Sequence, residues 1–169
     1  MEVLDCIRSR RSVRNFSCGR PLTDEELDVI LQAGAMAPSA KGLRPWEFVA
    51  VLNRDLLAAL SELSPYAGHV RSAGAAIVVC ARTGEGGRPI SDFWQQDCAA
   101  AIENMLLQAE AISLGGCWCG LYPRSERVEA CRRLLGIDSL PMSILALGRP
   151  AKALPPRSVP VQAKIRILR

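Results

Sequence analysis

The segment Arg10-Arg11-Ser12-Val13-Arg14-Asn15-Phe16 sets three guanidinium groups and a hydroxyl within five residues, with no acid beside them in the chain. Guanidinium forks donate two parallel bonds to phosphate or carboxylate. Each such charge-assisted bond contributes ~1.5–3 kcal/mol. In an extended chain Ser12 and Arg14 face the same way, which suits a phosphate clamp. On composition alone a solvated basic turn or a nucleic-acid arm fits the same residues. A second segment, Ala37-Pro38-Ser39-Ala40-Lys41-Gly42-Leu43-Arg44-Pro45-Trp46, leads from a helix to a strand through small residues. Its main chain can approach a flat aromatic ligand closely. An ordinary helix stop with Trp46 as core anchor fits it as well.

Other chemistries lack their residues. No GxGxxG follows a strand and no GxxxxGK[ST] occurs, so neither nucleotide cradle is expected. His69 is the single histidine, which leaves a Ser/His/Asp set, a zinc site or a Cys–His nucleophilic pair poorly supplied. No metal site is expected. Cys117-Trp-Cys119 is one residue short of a CxxC pair, and both thiols read as buried strand residues. His69 reads as a surface or strand-entry residue and Trp94 as packing. Catalysis therefore falls to a bound cofactor, with no catalytic side chain expected.

The elements that must position these segments follow from periodicity and caps. A short helix runs from Met1 to about Arg10. Thr23-Asp-Glu-Glu26 is a capping box that opens a helix stopped by Pro38. Trp46–Leu52 reads as a strand, and Asn53 or Asp55 starts a helix ended by Pro65. Ala75–Ala81 is an apolar run typical of a strand covered on both faces. Residues 84–91 form a loop. Asp92–Leu114 is the longest helical pattern, with Gly115-Gly116 as its C-cap. Cys117–Tyr122 is the third strand, Ser125 caps a helix to Leu135, and Met142–Leu147 is the fourth strand. The expected fold is α+β or three-layer αβα, with a small sheet of four to five strands.

A chain of 169 residues with 49% hydrophobic and 22% charged residues supports one globular core. The net charge of +4 is unevenly spread. Residues 1–20 carry a net +3, the body to residue 148 is acidic, and the tail 149–169 has six basic residues and no acid. Seven cysteines, an odd number, and an N-terminus unlike a secretory signal point to reduced thiols in the cytoplasm. No apolar run reaches the ~18 residues of a membrane span.

Four stretches in register resemble the FMN-dependent nitroreductase family across about residues 3–158. Arg10 to Phe16 is similar to the family's first FMN motif. Ala37-Pro38-Ser39-Ala40 through Arg44-Pro45-Trp46 is similar to the second, which contacts flavin from the partner subunit. Asp97 to Leu107, followed by Leu114 to Gly120, is similar to the central helix and the strand after it. Ala146-Leu-Gly148-Arg-Pro150 is similar to the closing strand. The resemblance implies a three-layer αβα fold with a mostly antiparallel central sheet. Residues 1–148 would form the FMN domain, and 149–169 a basic, Pro-rich tail packing on the body or on a partner.

The resemblance also implies a homodimer with flavin at the subunit interface, and NADH or NADPH as donor to a nitroaromatic, quinone or related acceptor. No nucleic-acid or membrane partner is implied. Arg10, Arg11, Ser12 and Arg14 would hold the phosphate, with Arg157 or Lys152 reaching it from the tail. Pro38, Ser39, Ala40, Gly42 and Arg44 would border the flavin, and the main chain of Cys119, Gly120 and Leu121 would lie near its ring. Two residues depart from the family's Ser-x-x-Asn-x-Gln-Pro-Trp pattern: Gly42 stands at the Asn position and Arg44 at the Gln position. Residues 84–91 are the one candidate lid. Dehalogenation, flavin breakdown or ring dehydrogenation on the same fold is an alternative chemistry, and a basic-ended nucleic-acid module an alternative class.

Overall fold

In the computed structural model, residues 2–17, 20–152 and 166–168 are described. Among these residues five α-helices, α1 (Val3–Ser9), α2 (Asp24–Ala35), α3 (Arg54–Ser61), α4 (Trp94–Ala111) and α5 (Ser125–Leu135), accompany four strands. The strands are β1 (Trp46–Val51), β2 (Ala75–Ala81), β3 (Gly115–Gly120) and β4 (Leu140–Gly148). They form one antiparallel sheet in the order β1-β2-β4-β3.

The apolar run of β2 is buried along its whole length, as a strand with both faces covered must be. Side chains alternate between two cores. Ile77 and Val79 join Leu145 and Leu147 under α2 and α4, whereas Val78 joins Ile144 and Ala146 under α3 and α5. This is the expected three-layer αβα arrangement.

Sequence and structure part at several element ends. Gly115 and Gly116 are not the cap of α4 but the first residues of β3. Helix α4 ends at Ala111, and Ser113 takes the left-handed turn, with φ 63°. The two glycines are small for packing reasons. A Cβ on Gly115 would lie 2.5 Å from Val13 Cγ2, and one on Gly116 2.6 Å from Leu106 Cδ2. Gly115→Ala should therefore destabilise the fold by about 1–3 kcal/mol through overpacking and loosen the 12–16 segment; chemical denaturation read with amide exchange at Val13 checks both. Ser125 is the first helical residue of α5, and Arg124 occupies the cap position without a side-chain bond. Helix α4 also starts two residues later than expected, at Trp94.

The capping box of α2 forms as read: Thr23 N–H donates to Glu26 Oε2 at 3.0 Å, and Glu26 N–H donates to Thr23 Oγ1 at 3.2 Å. Glu26 also pairs with Arg149 at 2.5 Å, clamping the start of the tail to α2. Burial raises the Glu26 pKa, but the Thr23 amide and the Arg149 guanidinium outweigh it, and the carboxyl titrates below its ordinary value. A depressed carboxylate stabilises the fold above its unfolded pKa and loses that contribution as pH falls through the folded one. Glu26→Gln should thus cost about 1–2 kcal/mol at pH 7, with the gap to wild type closing below about pH 4; paired melts across pH check it.

Candidate functional site

Past α1, Arg10 turns the chain into extended backbone, with φ −52° and ψ 131°. Val13 N–H donates to the Gly116 carbonyl at 2.9 Å, and Ser12 bridges Gly116 in parallel register. Farther on, Phe16 pairs with Pro150, Ser17 N–H donates to the Arg149 carbonyl at 2.8 Å, and Ala151 N–H donates to the Asn15 carbonyl at 2.9 Å. Val13 and Phe16 are buried, whereas Ser12 and Arg14 are exposed. The basic segment is thus fixed beside both β3 and the chain leaving β4, and the first residues of the basic tail lie next to it. Arg157 falls outside the described residues.

Although the chain places no acid beside the arginines, the fold does. Arg10 Nε lies 3.2 Å from Glu103 Oε1 on α4. Arg11 is half-buried and Arg14 is exposed, the guanidinium best disposed to meet an anion from solvent.

The second segment winds through a tight turn. Lys41, Gly42 and Arg44 all have positive φ, at 54°, 66° and 45°. Glycine tolerates this region without a Cβ penalty, so Gly42 suits the turn. Besides the main-chain bonds from Gly42 N–H to the Ser39 carbonyl and from Leu43 N–H to the Ala40 carbonyl, two side chains hold the turn: Arg44 N–H donates to Ser39 Oγ, and Ala40 N–H donates to Asp97 Oδ1, both at 2.9 Å. Pro38 and Arg44 are exposed; Ser39 and Ala40 are half-buried.

Asp97, 5% exposed, also accepts from the Ser91 hydroxyl through Oδ2 at 3.2 Å. One carboxylate at the N-terminal end of α4 therefore ties the 38–44 turn to the end of the 84–91 loop. The sequence expectations give it no role, although a signal is present. The buried positions Trp94, Asp97, Cys98, Ala101, Ile102 and Met105 form the inward stripe of α4, and Asp97 is the one carboxylate on it.

After β3 the chain turns beside the same helix end. Trp94 and Tyr122 meet edge to face with ring centroids 4.8 Å apart, so Trp94 packs as expected. A bulge in β4 skips Met142 in the pairing with β2, and the Met142 carbonyl accepts from Leu121 N–H at 2.9 Å and Tyr122 N–H at 3.1 Å. Leu121 is fully buried. Its amide and side chain are both engaged within the fold, unlike the flavin contact expected of it. Gly120 is exposed, and a Cβ there would meet nothing nearer than the Tyr122 carbonyl oxygen at 4.0 Å.

The six described cysteines are buried free thiols. Burial pushes Cys80, Cys98 and Cys131 up to about 12, as suits inert core thiols. Cys117 and Cys119 behave differently. The Cys119 thiol donates to Cys117 and lowers its pKa, helped by His69 and Arg14 against the effect of burial. The same bond, with burial and the Cys117 charge, raises Cys119. His69 is half-buried in the 3-10 turn Gly68–Ser72, with Nε2 3.4 Å from Cys119 Sγ. The expected surface histidine thus meets the thiol pair across 50 positions of chain.

The nitroreductase family model matches residues 7–149. The chain belongs to the nitroreductase family. Membership places it among oxidoreductases. A Methanothermobacter thermautotrophicus relative with the provisional name NADH dehydrogenase/NAD(P)H nitroreductase is 42% identical over 154 residues, covering 90% of this chain and 79% of that protein. A solved structure of the same provisional name from Bacteroides thetaiotaomicron superposes with a TM-score of 0.88 at 36% identity, covering 98% of this chain and 96% of that one. A nitroreductase, also provisionally named, from Desulfovibrio desulfuricans was solved in complex with FMN. It matches with a TM-score of 0.76 at 29% identity, over 95% of this chain and 93% of that one. Among the described residues no helix is long and apolar enough to cross a membrane.

Proposed function

We propose that this nitroreductase-family chain is an FMN-dependent oxidoreductase that takes reducing equivalents from NADH or NADPH and delivers them to a nitroaromatic, quinone or related acceptor. The observation that carries the reading is the alignment of two candidate contacts along one strand. Ser12 and its basic neighbours dock at Gly116, and the exposed Gly120 lies four residues along β3. At strand rise this is about 13 Å, a span that suits a phosphate at one end and a flavin ring at the other. The residues present fit such a group: exposed Ser12 and Arg14 can donate to a phosphate, while the positive-φ turn at 41–44 offers close main-chain approach. When bound, the flavin supplies the redox chemistry itself.

The chain's own residues bind and orient. Arg14, Ser12, Arg11 and the Glu103-paired Arg10 hold the phosphate end. Cys119 and Gly120 present main chain to the ring, and Arg44 sets positive charge at the rim, where it stabilises negative charge developing on a bound group. Lys152 is described and Arg157 is not, so the tail's part in phosphate binding rests on family resemblance. The docking of residues 12–17 along the sheet disfavours a free nucleic-acid arm.

A homodimer completes the proposal. Val3 (72% exposed), Leu4, Ile7 and Met36 (77%) leave an apolar band on α1 and the end of α2. The band borders a groove of about 370 Å³ lined by Val3, Met36, Leu107 and Ala111. A second copy would cover it. Leu4→Glu should shift the chain to monomer in sedimentation while the monomer's circular dichroism stays native.

The test of function is anaerobic mixing of flavin-loaded protein with NADH or NADPH. Bleaching of the visible bands, followed by recovery on adding a nitroaromatic or quinone, supports the reading. No bleaching with either donor overturns the nicotinamide-driven reductase. Bleaching without recovery by any such acceptor favours the alternative chemistries on the same fold.

A further inference from the structure

We propose that His69, Cys117 and Cys119 form a binding site for a soft d10 cation of the zinc(II) class. Cys117 and Cys119 are two residues apart on β3, so their side chains leave the same face of the sheet. That face is the α3–α5 side, opposite Trp118, and both thiols are nearly excluded from solvent. The 3-10 turn Gly68–Ser72 brings His69 over them. All three ligand atoms, Nε2 or Nδ1 of His69 and the two Sγ atoms, lie within 4.8 Å of one another.

The dimensions suit tetrahedral coordination. Metal–sulfur and metal–nitrogen bonds of about 2.3 and 2.0–2.1 Å place neighbouring ligand atoms about 3.5–3.8 Å apart. The Cys119–His69 separation, 3.4 Å, already matches. Drawing the widest pair onto one ion needs about 1 Å of side-chain rotation. Two thiolates and one neutral imidazole leave a divalent ion with no net charge, which removes most of the cost of burying it. Three protein ligands leave the fourth tetrahedral position to a water, the three-ligand pattern of an open zinc site.

A disulfide is a poorer use of the same pair. Cα atoms two apart in an extended strand are separated by about 6.6–6.8 Å, at the upper limit for bridging. The thiolate and imidazole donors select zinc-class ions over hard magnesium or calcium. The site uses side chains that no part of the proposed flavin chemistry requires.

The experiment uses full-length, reduced protein with its native flavin complement, stripped of metal by a chelator and titrated with cobalt(II), then zinc(II). One cobalt per chain, with thiolate charge-transfer bands and tetrahedral ligand-field bands that zinc abolishes, is the expected result. Cys117→Ser, Cys119→Ser and His69→Gln should each weaken uptake at least about tenfold, whereas Cys6→Ser should bind as wild type. His69→Gln removes no core side chain, so it keeps the test open if a cysteine variant fails to fold. Uptake below one-tenth of an equivalent, or uptake unchanged in His69→Gln and Cys119→Ser, overturns the proposal.

Discussion

Replacing Arg14 with alanine should weaken FMN binding about 10- to 100-fold, the loss of one charge-assisted phosphate contact. Arg14 is exposed in a segment fixed by main-chain bonds from Val13 to Gly116 and from Ser17 to Arg149. Removing its side chain leaves those bonds in place, so stability of the cofactor-free protein should change by no more than about 0.5 kcal/mol. Arg10→Ala is a less clean probe, because it also strands Glu103 on α4. Fluorescence titration of FMN against apoprotein checks the first value and chemical denaturation the second. Equal FMN affinity in wild type and Arg14→Ala would remove Arg14 from the phosphate site.

Asp97→Ala should have the largest effect on stability of any single change at the site. Its carboxylate is nearly excluded from solvent and accepts from Ala40 N–H and the Ser91 hydroxyl. Alanine leaves two donors without a partner, at about 1–3 kcal/mol each when buried. With partial relaxation the expected loss is about 2–4 kcal/mol, or about 4–16 °C in melting temperature for a chain of this size. Asp97→Asn retains a carbonyl oxygen for Ala40 and an amide that can donate to Ser91 Oγ, so it should recover most of the stability. Because Asp97 holds the turn that carries Ser39, Gly42 and Arg44, the alanine variant should also lose FMN beyond what destabilisation explains. Differential scanning calorimetry with and without FMN separates the two. An alanine variant that melts like wild type would show that the 38–44 turn holds its shape without Asp97.

Strand β2 and the capping box at Thr23 and Glu26 were legible in the sequence because each is a contiguous signal: an unbroken apolar run, and a cap with its partner three residues on. The basic segment was legible as a candidate phosphate clamp because donors cluster along the chain. Its partner acid was not, since Glu103 reaches Arg10 from another element. Gly115 and Gly116 read as a helix stop because glycine there has two physical explanations. The one that applies, contact with Val13 and Leu106, exists in the folded chain alone.

The same reason explains Leu121 and His69. A residue can be matched to a family motif by position, but whether its amide is available depends on where a bulge in β4 puts the Met142 carbonyl. His69 looked too solitary for metal chemistry because its partners lie on β3, beyond β2 and α4 in the chain. Side-chain clusters assembled by tertiary contact are invisible to spacing rules. The family resemblance carried the overall architecture and points to the proposed cofactor, whereas Asp97 and the His69 cluster emerged from geometry.

On the proposed function, this chain binds FMN between its basic N-terminal segment and the end of β3. The most direct measurement is the cofactor content of the purified protein, by visible absorption and by chromatography of the released compound, before and after incubation with FMN. The purified protein should show flavin bands, release FMN rather than FAD, and hold about one FMN per chain. Colourless protein that takes up no added FMN would contradict it.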